Sequence, residues 1–80
     1  MNHSLNEMKR RFVYTNHELI KSECIDGTII DYYNVKRNEE PIQIKITSPS
    51  DCGHWTKFTL YRKLAHQTEW KYVDSWEVWL

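Results

Sequence analysis

The sequence predicts an α+β domain that is mainly β: an antiparallel meander of four to five strands with a short N-terminal helix packed against it. A small all-β barrel is the alternative. Three observations carry this reading. Apolar and polar residues alternate cleanly in Pro41-Ile42-Gln43-Ile44-Lys45-Ile46-Thr47, and the last twelve residues, EWKYVDSWEVWL, are dense in strand-forming side chains. Short polar connections separate such segments, so neighbours in sequence pair antiparallel. A helix-capping spelling stands near the N-terminus.

Taken in order, Ser4-Leu5-Asn6-Glu7 is that spelling: the serine hydroxyl accepts from a backbone N–H and the glutamate reaches back to the cap. Leu5, Met8 and Phe12 then recur at helical spacing, and Lys9, Arg10 and Arg11 fall in the last turn, where the helix dipole favours cations. A helix over 5–12 follows. Residues 16–26 admit two readings. Thr15-Asn16-His17-Glu18 is a second capping spelling with Gly27 placed as a C-terminal cap, yet Asp26-Gly27 between ELIKSECI and TIIDYYNV is also a strong hairpin signal. The hairpin is preferred. TIIDYYNV is a strand, KRNEE a polar turn, and Pro41 opens the next strand, where its missing N–H is tolerated. SPSDCGH is a loop punctuated by Pro49 and Gly53, and the strands WTKFTLYRKL and EWKYVDSWEVWL follow, joined through Ala65-His66-Gln67-Thr68.

Composition bounds the rest. Eighty residues form one domain spanning 1–80, and a chain of this size needs a core dense in large side chains, which eleven aromatic rings supply. Eleven basic residues balance eleven acidic ones, so no global field draws the chain to nucleic acid or an anionic membrane, and a monomer or a homodimer is equally compatible. No apolar run is long enough to span a membrane, and the expected location is cytoplasmic, where Cys24 and Cys52 are free thiols.

Alternation along the last strand sorts the rings. Trp70, Tyr72, Asp74, Trp76, Val78 and Leu80 share one parity and read as the core face; Lys71, Val73, Ser75, Glu77 and Trp79 share the other. In the preceding strand Thr56, Phe58, Leu60 and Leu64 match the core face, with Arg62 as a misfit whose natural partner is Asp74; a bulge near Asp74-Ser75 is the other way to place that aspartate. The outward face then carries Trp55, Lys57, Tyr61, Lys63, Lys71 and Trp79, with Gln43, Lys45 and Thr47 further across. An exposed aromatic cluster among lysines is the most informative feature of the chain. Two plainer readings compete with a binding site there: the helix or the 18–25 segment folds over this face, or a pair such as Tyr61 with Val73 merely supports the hairpin from its solvent side.

Chemistry is otherwise sparse. Cys52-Gly53-His54, with Cys24 and His66, has the elements of a metal set but not the usual spacing, and no metal or cofactor is expected. No phosphate-binding loop, nucleophile elbow or catalytic pairing is spelled out, so an enzyme is not expected. The expected function is that of a small non-enzymatic interaction module acting on a protein partner through Trp55, Lys57, Tyr61, Lys63, Lys71 and Trp79. Compact chains of this kind are often phage or mobile-element accessory proteins that inhibit or regulate a host macromolecule, an analogy of size and composition. The alternative is a single-stranded nucleic-acid binder that stacks bases on the same rings.

Overall fold

The computed structural model describes residues 14–51 and 53–79. Five antiparallel strands, β1 (Thr15–Ile25), β2 (Thr28–Arg37), β3 (Glu40–Pro49), β4 (Trp55–Leu64) and β5 (Lys71–Trp79), form one open sheet in the order β1-β2-β3-β4-β5. The meander expected from the sequence is present with all five strands. The sheet is not closed into a barrel, since β1 and β5 are its two edges. The helix expected over 5–12 lies outside the described residues. Among the described residues no helix is long and apolar enough to cross a membrane.

Turn chemistry fixes the first two connections. Asp26 and Gly27 have φ of 51° and 76°, the paired positive values that let a two-residue turn match the twist of its strands, so residues 16–26 enter a hairpin and not a helix. Asn38 and Glu39 repeat this geometry between β2 and β3, at φ of 51° and 66°. Asparagine tolerates that conformation; glutamate does so against a steric cost of about 1 kcal/mol. Gly27 also ties the sheet end together, because its carbonyl accepts the Ser50 N–H from the β3–β4 loop at 2.8 Å.

One face of the sheet is the core. Tyr33 and Val35 of β2, Ile42, Ile44 and Ile46 of β3, Phe58 and Leu60 of β4 and Trp76 of β5 are buried there with Tyr14, and Leu64, Val73 and Val78 pack against them. Thr56 is buried on the same face, opposite Val78. Ile44 and Leu60 are completely sealed, and the Phe58 and Trp76 rings meet at 5.8 Å between centroids. β1 contributes little to this core: it carries register shifts at Thr15/Glu18 and Leu19/Lys21 and leaves Leu19, Ile20 and Ile25 exposed.

The β4–β5 pairing overturns part of the face assignment. From Trp55↔Trp79 to Leu60↔Asp74 the strands run in step, but the next pair is Tyr61↔Tyr72, so β5 holds one extra residue, Val73. This bulge lies one residue before the one expected near Asp74-Ser75. Its consequence is an inversion of parity for everything N-terminal to it. Val73 packs into the core; Tyr72 is 62% exposed, opposite Tyr61 on the outer face; and Lys71 stands opposite Arg62, on the side of the core residues. Tyr72 and Trp70 are therefore not core residues, and Lys71 does not share a face with Trp55, Tyr61 and Trp79. Asp74 keeps its place opposite Leu60 and accepts the Ser75 N–H at 2.8 Å, while no ion pair joins it to Arg62 among the described residues.

Candidate functional site

The outer face is built by strand positions that alternate with the core. Tyr32 and Asn34 of β2, Gln43, Lys45 and Thr47 of β3, Trp55, Lys57, Thr59, Tyr61 and Lys63 of β4, and Tyr72, Ser75, Glu77 and Trp79 of β5 occupy it. The 18–25 segment does not cover it, because those residues form edge strand β1 beside β2. Five of the six residues singled out from the sequence, Trp55, Lys57, Tyr61, Lys63 and Trp79, share this face; Lys71 does not.

The rings fall into two groups about six strand residues, or roughly 20 Å, apart. At one end Trp55 and Trp79 are cross-strand neighbours, 45% and 76% exposed. Among the described residues no ammonium stands over either indole. Lys57 and Glu77, the next outer pair, place opposite charges beside them, and Thr59 and Ser75 follow with hydroxyls 3.3 Å apart.

The second group contains rings that sequence reasoning put elsewhere. Trp70, from the β4–β5 connection, meets Tyr32 at 6.0 Å between centroids and lies under two ammonium groups, Lys45 at 5.1 Å and Lys63 at 5.2 Å. Lys45 also stands 4.9 Å from the Tyr61 ring, Tyr61 meets Tyr72 edge to face at 6.2 Å, and the Tyr72 hydroxyl donates to Ser75 Oγ at 3.2 Å. At the margin Lys21 lies 4.8 Å over Tyr32 and pairs with Glu23 at 2.8 Å, a hydrogen bond that raises the Lys21 pKa above its ordinary 10.5. Trp70 and Tyr72 had no readable signal as long as β5 was taken to alternate without interruption, whereas Tyr32 was legible from the regular alternation of β2 and was not assigned a face.

A single-strand platform needs open ring faces for bases and mobile cations for phosphates. In the second group the rings of Trp70, Tyr61 and Tyr32 are already met by lysines, of which Lys63 is also held by the Gln67 carbonyl and Lys21 by Glu23. At the other end of the face the Trp55 and Trp79 rings stay open to solvent, so the two groups differ in what they offer a ligand.

No metal set forms: among the described residues no three His, Cys, Asp or Glu side chains gather, and His54 and His66 flank β4 at its opposite ends. Cys24 is an exposed free thiol; Cys52 lies outside the described residues. Compared with family models, with curated proteins and with solved structures, the chain finds no match.

Proposed function

We propose that this chain is a small non-enzymatic interaction module whose outer sheet face docks on a protein partner. The observation that carries the reading is the Trp55/Trp79 pair, two indoles side by side on a regular β ribbon and largely open to water. Exposing such rings is unfavourable for an isolated domain, whereas burying them in a partner's pocket makes them anchors. Lys57 and Glu77 stand beside the pair, and Tyr72, Lys45 and Lys63 lie in the second group further along the same face. The partner therefore presents an apolar patch with charges of both signs at its rim. Lys71 is no part of this surface.

The test is affinity purification of a tagged copy from its source cell, after nuclease treatment, side by side with the double variant Trp55→Ala/Trp79→Ala. A partner retained in stoichiometric amount by the parent and lost by the variant, with the variant's Tm within about 3 °C of the parent, is the expected result. A partner that nuclease removes would move the face to nucleic acid. One that the double variant still holds would remove the tryptophans from the interface.

A further inference from the structure

We propose a second site, separate from the aromatic face: a cleft at the Asn38/Gln67 end of the sheet that binds the phosphate groups of a nucleotide-sized phosphorylated small molecule. The cleft has a volume of about 460 Å³, within the range of small-molecule pockets, and its described lining residues include Arg37, Arg62 and Lys71, with Glu40 as the only carboxylate among them. A chain with no net charge thus concentrates three of its eleven cations around one depression.

The register makes the concentration more than a matter of count. Arg62 and Lys71 are direct cross-strand partners on one side of the sheet, where like charges repel at a Cβ separation of roughly 5 Å. Arg62 is also the cross-strand partner of Ile44, which is fully buried, and is itself only partly exposed, so water screens its charge less than on an open surface. Among the described residues neither Arg62 nor Lys71 forms an ion pair, and the Glu40 carboxylate belongs to the register partner of Arg37. An anion placed between Arg62 and Lys71 converts that repulsion into attraction. Two guanidinium forks suit the paired oxygens of a phosphate, and three cations against one carboxylate among the described residues call for a ligand with more than one negative charge.

One wall of the cleft is fixed before any ligand arrives. Gln67 Oε1 accepts the Leu64 N–H at 3.1 Å, the Gln67 N–H donates to the Leu64 carbonyl at 3.0 Å, and Lys63 Nζ donates to the Gln67 carbonyl at 2.9 Å. Ile42 and Leu64, register partners in β3 and β4, add aliphatic surface for the uncharged remainder of the ligand. The cleft's volume exceeds what inorganic phosphate alone would fill.

The experiment is calorimetric titration of the full chain with ADP, with pyrophosphate and with a single-stranded thymidine oligonucleotide at low salt. Saturable binding of both ADP and pyrophosphate is expected, weakened about tenfold or more in Arg62→Gln/Lys71→Gln and unchanged in Lys57→Gln, whose lysine lies on the other face. Without ligand the double variant should melt no lower than the parent, because it relieves a like-charge pair; a merely structural role for these residues would lower its Tm. Arg62→Lys, which keeps the charge and loses the fork, should bind between the two. The proposal is overturned if ADP binds and pyrophosphate does not, if only the oligonucleotide binds, or if Lys57→Gln weakens binding as much as the cleft variants.

Discussion

The hairpins β2–β3 and β4–β5 share a sheet and a core, and one extra residue separates the behaviour of their ladders. In β2–β3 ten consecutive pairs run from Thr28↔Pro49 to Arg37↔Glu40 without a slip, so each side chain's face follows from its position number. In β4–β5 the same rule holds from Trp79 back to Asp74 and then reverses at Val73. Alternation is thus a property of the pairing, not of the strand's own letters. A single extra residue moved a tyrosine and a tryptophan from the expected core to the surface, and carried a lysine from the aromatic face to the cleft.

Core truncation asks first whether the slip weakens the hairpin that contains it. Ile44 and Leu60 are both fully buried, one in each hairpin, so Ile44→Ala and Leu60→Ala should each lose about 2–5 kcal/mol in urea unfolding, out of a total of roughly 4–12 kcal/mol for a chain of this length. A much smaller loss for Leu60 would mean that the bulge leaves its surroundings loose.

Removing the difference itself is the sharper intervention. Deleting Val73 brings the ladder back into step with Tyr72 still opposite Tyr61 on the outer face, and it removes the side chain that the bulge sends into the core. The deletion should destabilise by about 1–3 kcal/mol through the lost packing of Val73, and Tyr72 should keep its solvent exposure by NMR. A deletion variant as stable as the parent would show that the bulge is not required by packing.

Smaller still is the effect of the β2–β3 turn. Glu39→Gly replaces a side chain held at positive φ and should raise stability by up to about 1 kcal/mol, while Gly27→Ala in the matching β1–β2 turn should lower it by a similar amount. Thermal melts of the two variants would show shifts of opposite sign.

The least effect concerns Lys21. Its pKa is raised by the Glu23 hydrogen bond, so whatever this pair adds to stability is present below the unfolded-state value near 10.5 and is lost as pH climbs through the higher folded value. Glu23→Gln should return the Lys21 titration, followed by NMR, toward its ordinary position.

Much of this fold was legible in the sequence. Pro41 to Thr47 reads correctly because isoleucines and polar residues alternate there without ambiguity, and Asp26-Gly27 announces its turn because few other dipeptides accept positive φ twice. The site was legible in part. Trp55, Lys57, Tyr61, Lys63 and Trp79 were placed together correctly because β4 and the C-terminal half of β5 stay in step. Lys71, Tyr72 and Trp70 were not, because apolar residues of both parities crowd the segment from Tyr72 to Trp79, and nothing in such a string marks where the ladder slips.

The irregular spacing of the outer strands has a further effect on how copies of this chain meet. With no net charge, little long-range repulsion keeps molecules apart in a concentrated solution. Their exposed amides and carbonyls nevertheless offer even rungs only from Lys21 to Ile25 on one margin and from Asp74 to Trp79 on the other. Growth of fibrils by stacking margin upon margin is thereby cut short after a few residues, so the same irregularity that exposes Tyr72 also helps to keep the molecule dispersed.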